Sequence, residues 1–252
     1  MLKKPDEIRG AYSETGTAEE YIDKRFTSAW GSVMHATQVK TVNDAIRAHK
    51  VGRVLELAPG PARLSHDVSG FDRGYLCEFN DSMLQVARRR LANSASRWRL
   101  VRGDAFHLPF QGSAGLDLVY TFRFIRHFEA ADRAALYRQI NAVLKPDGLF
   151  IFDVVNDAVG RPARMRDDPA NCPVYDEFYS RESLRAELAG HGLVPLEFID
   201  VIRHMTLQQR IQVLIGPRSN GLARQLISLL EHVPGEPLER VVVCEKQGPG
   251  RP

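Results

Sequence analysis

The chain has 252 residues, 44% of them apolar and 26% charged, which suits one α/β domain with additions and a sizeable buried core. Its 34 basic and 31 acidic residues leave a net charge of +3, too even to argue for a nucleic-acid partner. No apolar run approaches the ~20 residues that span a bilayer, and the opening, Met1 to Glu7, lacks the apolar centre of a secretory signal. Cys77, Cys172 and Cys244 are too scattered for a zinc pattern or a disulfide framework, so no metal is expected and the reading is cytoplasmic.

Residues 1–50 are polar to about position 20, and Val33 to His49 has helical spacing. This stretch reads as an N-terminal helical cap ahead of a main domain over 51–252. Val54 to Leu57 is a short apolar strand interrupted by Glu56; it stops at Ala58-Pro59-Gly60-Pro61-Ala62, and Leu64 to Ser69 then reads as a short helix. Gly74 to Glu78 is a second strand ending in a carboxylate. Ser82 is the expected cap of the next helix, whose apolar face is Met83, Leu84, Val86, Ala87 and Leu91. Its end, Arg88-Arg89-Arg90, reads as a solvated face favourable to the helix dipole. Trp98 to Val101, Leu116 to Tyr120 and Leu149 to Val155 are the third to fifth strands, with a helix over Leu136 to Leu144. Asn156 to Pro173, rich in Arg, Asp and Pro, reads as a loop, and 156–180 as a lid over the sheet edge. A helix from Ser180 to Gly192 precedes the last two strands, Leu196 to Ile202 and Arg240 to Cys244. Between them, 205–237 is a helical insert with Leu222, Leu226, Leu229 and Leu230 along one side, read as a pocket wall or a homodimer contact.

A strand that stops at small residues and turns into a helix makes a crevice at the carboxyl end of a parallel sheet, where such sheets hold ligands. Gly60 lets a ligand lie against the backbone. A plain structural turn explains this much equally well. Glu78 tips the balance, because a carboxylate about 20 residues downstream, at the adjacent strand tip, can hold a ribose diol. The dinucleotide pattern requires glycine at 58, 60 and 63, where this chain has Ala58, Gly60 and Arg63, and no G-x-x-x-x-G-K-[ST] loop occurs. The spacing therefore points to an adenosine-type ligand without phosphates.

Five stretches, taken together, resemble the motifs of class I S-adenosylmethionine-dependent methyltransferases. Glu56-Leu57-Ala58-Pro59-Gly60-Pro61-Ala62 is similar to E/D-x-G-x-G-x-G, with alanine at two glycine positions. Glu78-Phe79-Asn80-Asp81-Ser82-Met83-Leu84 resembles the second motif, and Gly103-Asp104-Ala105-Phe106-His107-Leu108-Pro109-Phe110 the third. Leu116 to Tyr120 and Leu144-Lys145-Pro146-Asp147-Gly148-Leu149 resemble the fourth strand and the turn before the fifth. The resemblance implies a doubly wound α/β fold: a seven-stranded, mainly parallel, Rossmann-like sheet with an antiparallel last strand. It implies S-adenosyl-L-methionine as cofactor.

The same resemblance distributes the roles. Glu78 would hold the ribose, Asp104 the adenine amine, with Ala105 or Phe106 donating a backbone N–H to the ring. Phe79 and Phe106 flank the adenine, and Met83 adjoins it. Glu56 orients the methionyl amine while Ala58, Pro59 and Gly60 lie against the cofactor. Tyr21 and Arg25, one helical turn apart, are candidates to face the crevice from the cap. Phe122 and Arg123 follow the fourth strand, where the methionine moiety meets the acceptor. His127 is the first candidate base and His204 a weaker one, since imidazole titrates near neutral pH. Asn156, Tyr175 and Tyr179 are further substrate-side candidates.

The absence of a D/N-P-P-Y/F motif, with Thr121-Phe122-Arg123-Phe124 in its place, argues against amino-directed nucleobase methylation. The reading is methyl transfer to O or N of a small-molecule acceptor by in-line displacement. Two alternatives stay open: an RNA methyltransferase, and a non-catalytic S-adenosylmethionine-binding subunit or regulator.

Overall fold

The computed structural model describes residues 27–94, 97–110, 115–167 and 174–248. Its centre is one sheet of eight strands in the order β3-β2-β1-β4-β5-β8-β7, with a two-residue strand, β6, paired to β5 off that path. The strands are β1 (Arg53–Leu57), β2 (Arg73–Glu78), β3 (Trp98–Arg102), β4 (Leu116–Thr121), β5 (Leu144–Asn156), β6 (Phe178–Tyr179), β7 (Leu193–Arg203) and β8 (Pro237–Lys246). The pairings from β3 across to β5 are parallel, and β8 runs antiparallel to both β5 and β7. β1 and β4 are buried almost end to end, as strands covered on both faces must be. Gly74 is required for sheet packing: a Cβ there would sit 2.3 Å from the Trp98 ring.

The helices are α1 (Ala29–His49), α2 (Asp81–Arg90), α3 (Ala130–Val143), α4 (Asp157–Arg166), α5 (Arg181–Ala189), α6 (Met205–Leu214) and α7 (Asn220–Leu230). One face of the sheet is covered by α1, whose Met34, Val42, Ala45 and Ile46 join Val54, Leu118 and Ile151 in a single apolar cluster. The opposite face packs Leu136, Tyr137 and Ile140 of α3 with Leu184 and Leu188 of α5 onto Phe150 and Phe152. α7 lies against the start of α1 through Ala223, Ile227 and Ala29.

Several expected boundaries move, each for a physical reason. Residues 60–67 form consecutive turns rather than a helix from Leu64, because left-handed residues between prolines set a tighter course. Asn80, not Ser82, caps α2: its Oδ1 accepts from Ser82 N at 2.8 Å and Met83 N at 3.2 Å. α3 begins at Ala130; its first turn, Ala130 to Arg133, carries no large apolar residue to mark the start. The supposed loop after β5 is in large part a helix, α4, capped by Asn156 and tolerating Pro162 on its exposed side. α5 is capped at Gly190, and Gly192, with φ +67°, turns the chain two residues later. In the insert, Ala223 and Ile227 are the buried residues of α7, whereas Leu222 and Leu229 face solvent. Small residues let α7 approach α1 closely, so the leucine stripe lies off the contact.

Candidate functional site

The loop after β1 is made of alternating left-handed residues and prolines: Ala58 at φ +49°, Gly60 at +56° and Ala62 at +57°. Alanine thus keeps the backbone course that glycine normally serves. Gly60 N donates to Glu78 Oε2 at 3.0 Å, and Asn80 N donates to Oε1 at 2.9 Å. The β2 carboxylate therefore clamps the β1 loop. Burial pushes the Glu78 carboxyl above its ordinary value, against the backbone donors of Asn80, Gly60 and Phe79. Each carboxylate oxygen has a second lone pair for a hydroxyl donor. A Cβ built on Gly60 would meet only Met83 Sδ, at 4.0 Å, so the glycine fronts open space.

Glu56 points under the loop. It is buried, and the hydroxyls of Ser65 and Tyr120 both donate to its Oε2, the latter at 3.0 Å. Burial pushes its carboxyl up to about 7 despite those two donors. In this structure it braces the loop from inside, and its direct partners are Ser65 and Tyr120. Arg63, at the position of the missing third glycine, is also buried; it donates to Gln38 Oε1 at 2.7 Å and His35 Nδ1 at 2.9 Å. Burial holds the His35 ring below its usual pKa, leaving a neutral imidazole that accepts from Arg63 and donates through Nε2 to Asp67 at 2.8 Å. The loop is thereby tied to α1. Sequence reading missed this tie; the one signal was an arginine where the pattern wants glycine.

At the β3 tip, Asp104 Oδ1 accepts from Phe106 N at 3.0 Å, and His107 N donates to the Asp104 carbonyl at 2.9 Å. Asp104 thus bonds its own turn in the manner of an Asx motif. Phe79 is 46% exposed at the β2 tip, whereas Phe106 packs edge-on against Phe128, with ring centroids 5.2 Å apart. Ala105 is buried between them in sequence.

The other half of the carboxyl edge is built from charge. Phe122 is buried; Arg123, at φ +56°, donates its N–H to Asp153 Oδ1 at 2.5 Å. Arg126 is buried, with Nη1 at 2.7 Å from Glu239 Oε1 and 3.3 Å from Asp153 Oδ2, and Nε at 3.2 Å from Asp176 Oδ1. Burial pushes the Asp153 carboxyl above its ordinary value, with Glu239 adding to it and Arg126 opposing. Burial acts on Glu239 too, but Arg126 and Arg123 outweigh it and hold that group below its ordinary value. Asp176 is likewise held low against burial by His127, Arg126 and Arg164.

Arg123 and His127 do not share a helical face. Only a 3-10 turn, Ile125–His127, forms here, and it sends the two side chains to different places. His127 Nδ1 lies 2.9 Å from the Tyr175 carbonyl and 3.0 Å from Asp176 Oδ1. Tyr175 donates its hydroxyl to Glu177 Oε2 at 2.5 Å, and burial with Glu177 pushes that hydroxyl up to about 12. Tyr179 is buried and donates to Glu187 at 2.8 Å, and Asn156 is buried as the cap of α4, donating to the Pro237 carbonyl at 2.8 Å. Tyr179 is thereby committed to structure, whereas Asn156 also lines a cavity of about 310 Å³ with Ser180, Asp200 and Arg240. His204, at φ +55°, lies half-buried at the start of α6, on a separate cavity of about 370 Å³ with Pro162, Arg166 and Glu236. Tyr21, Arg25 and Cys172 lie outside the described residues.

Beside Arg123 is a cavity of about 210 Å³, walled by Trp30, Gly31 and Met34 of α1, Ile202 of β7 and Leu238 and Glu239 of β8. Among the described residues, no cluster of His, Cys, Asp and Glu is arranged to hold a metal, and no helix is long and apolar enough to cross a membrane.

The strand order with its antiparallel β8, and a ligand cradle at the β1 and β2 tips, define the class I S-adenosylmethionine-dependent methyltransferase fold. Residues 54–148 match the model of the methyltransferase domain family, so this stretch is a methyltransferase domain, and S-adenosylmethionine is the cofactor such a domain takes. The magnesium protoporphyrin IX methyltransferase (ChlM) from Synechocystis PCC 6803, with bound S-adenosylhomocysteine, superposes with a TM-score of 0.66 at 11% identity, covering 97% of this chain and 100% of that one. The DhpI–S-adenosylhomocysteine complex gives 0.61 at 16% identity, with 94% of each chain covered. A S-adenosylmethionine-dependent methyltransferase from Clostridium acetobutylicum ATCC 824 gives 0.60 at 13%, covering 85% of this chain and 92% of that one. Among curated proteins, none matches at the level of sequence.

Proposed function

We propose that the acceptor is a small molecule, methylated at O or N by in-line displacement. The observation that carries this is the cavity beside Arg123, of about 210 Å³ and walled mainly by apolar side chains. Its size and lining favour a small acceptor over RNA, which calls for an open basic groove.

When bound, S-adenosylmethionine supplies a methyl group already activated on a sulfonium. Glu78 holds the ribose hydroxyls. Asp104 and the Ala105–Phe106 backbone face the adenine, with Phe79, Phe106 and Met83 around it. The backbone from Ala58 to Gly60, and Phe122, border the methionyl tail. Glu56 acts at one remove, keeping Tyr120 and Ser65 beneath the loop. Alignment of nucleophile and methyl donor is the main catalytic demand, and positioning of this kind contributes up to ~7–11 kcal/mol. Where the acceptor has a proton to lose, His127 is the first candidate base: Asp176 and the Tyr175 carbonyl hold Nδ1, which leaves Nε2 for the proton. His204 is the weaker candidate.

The domain reading follows. Residues to 50 cap a catalytic domain over 51–252, and the insert at 205–237 backs α1 and the cavity. The exposed apolar side chains of the insert, among them Val213, Leu214, Leu222 and Leu229, support self-association through that face, which sedimentation velocity would register. Incubating the protein with S-adenosylmethionine radiolabelled on the methyl, in a fractionated lysate, tests the main reading. Label in the small-molecule fraction is expected. Label in RNA overturns the acceptor class, and binding without transfer indicates a non-catalytic subunit.

A further inference from the structure

We propose that the cavity beneath α1 selects an uncharged acceptor with an apolar, ring-sized body and one hydroxyl, the hydroxyl donating to Glu239 and accepting from Arg123. This rests on the methyltransferase reading above and sharpens it to a substrate class. The Glu239 side chain is 7% exposed and lines the cavity. Its Oε1 accepts from Arg126 Nη1 at 2.7 Å, but Oε2 finds no hydrogen-bond partner among the described residues. Arg123 lines the same cavity, and its buried Nε is equally without a partner there. Its Nη1 stands 3.9 Å from Glu239 Oε1, too far for a hydrogen bond. Trp30 Nε1 is a third orphan on a lining residue.

Buried polar atoms without partners are costly and rare, and three of them on residues that line one cavity are best explained by a ligand toward which those side chains turn. An acceptor and a donor left unsatisfied together are met by one group able to do both, which a hydroxyl does at a single atom. The charges exclude a charged head. Arg123 and Arg126 balance Asp153 and Glu239, while Asp176 is answered by Arg164. An added anion or cation would leave one buried charge unpaired. Apart from this polar end, the walls are Trp30, Met34, Ile202 and Leu238. Ile202 is held at φ +63° by Glu231, which accepts from the N–H groups of Ile202 and Arg203 at 3.0 Å each. A β-branched residue in that region is strained, and strain of this kind collects at binding sites.

The test is ligand-observed NMR with phenol, benzoate, benzylammonium and toluene, on the full chain saturated with S-adenosylhomocysteine. Phenol is expected to bind at least about tenfold more tightly than the other three, a step of ~1.4 kcal/mol. Glu239→Gln, which turns Oε2 into a donor, should abolish that preference. Leu238→Phe narrows the cavity without touching the charges and should weaken phenol by a similar factor with the fold intact by circular dichroism. Equal binding of phenol, benzoate and benzylammonium, or phenol binding unchanged in Leu238→Phe, overturns the assignment. Failure of S-adenosylhomocysteine itself to bind overturns the underlying reading instead, so the two failures are told apart.

Discussion

On the β1–β2–β3 side of the carboxyl edge, the contacts that shape the cradle come from backbone and from residues near in sequence. Gly60 N meets Glu78, Asn80 N meets Glu78, and Phe106 N meets Asp104. On the β4–β5–β8 side the shape comes from long charged side chains: Arg126 joins Asp153, Asp176 and Glu239, the last of them 113 residues away. The first half is suited to a ligand that never changes, since small residues and backbone donors offer little to vary. The second half, under the proposal above, is suited to selection, because exchanging one charged side chain would alter what the cavity accepts. The same difference sets their energetics. Backbone clamps tolerate neighbours, whereas a buried ion cluster stands or falls as a set.

The sharpest way to break that contrast is Arg126→Met. It leaves Asp153 and Glu239 buried without their main counter-charge, and loss of one member of such a cluster costs about 3–5 kcal/mol. Urea unfolding should show a loss of that size; a loss below about 1 kcal/mol would mean the cluster is not cooperative.

Glu56 gives the corresponding probe under the loop. In the unfolded chain it ionises near 4.5, and in the folded protein at about 7. Between those values the unfolded chain has lost a proton that the folded chain keeps. The stability from this group is therefore full below about pH 4.5 and falls as pH rises toward 7, by ~3 kcal/mol in all. Glu56→Gln keeps an acceptor for Ser65 and Tyr120 and removes the titration. The difference between wild type and variant, followed by unfolding from about pH 5 to pH 8, should carry that slope. A difference flat with pH contradicts it.

The smallest effect is expected at the alanines of the loop. A left-handed residue with a Cβ costs ~1–2 kcal/mol, and glycine returns ~0.5–1 kcal/mol of that through the freedom of the unfolded chain. Ala58→Gly and Ala62→Gly should each raise stability by up to about 1 kcal/mol in the same unfolding assay. Destabilisation in both would show that their methyl groups pack usefully.

The asymmetry between the two halves also governs what the sequence discloses. The succession of strands and the meeting of the Gly60 turn with Glu78 were legible because strand, turn and carboxylate follow one another within a short stretch. Sequence alone favours Ser82 as the cap where Asn80 serves, since both residue types cap well and only geometry separates them. Pro162 hid α4, because proline is a poor helix former that an exposed turn nevertheless tolerates. Arg126 escaped notice for a different reason: its partners Asp153, Asp176 and Glu239 come from three distant segments that only the sheet brings together. The same holds for the cavity of Trp30, Ile202 and Leu238. His127 drew attention as an imidazole near a strand end, but its contacts with Asp176 and Tyr175 depend on the chain that returns after α4.

The central claim is that the clamp between the β1 loop and the β2 carboxylate holds the nucleoside of the cofactor. Calorimetric titration of S-adenosylhomocysteine into the wild-type chain and into Glu78→Ala tests it most directly. Losing hydrogen bonds to a charged group removes ~1.5–3 kcal/mol, so wild type should bind one molecule per chain and the variant at least about tenfold more weakly. Equal affinity in the two proteins, or no binding heat with wild type, would contradict the account.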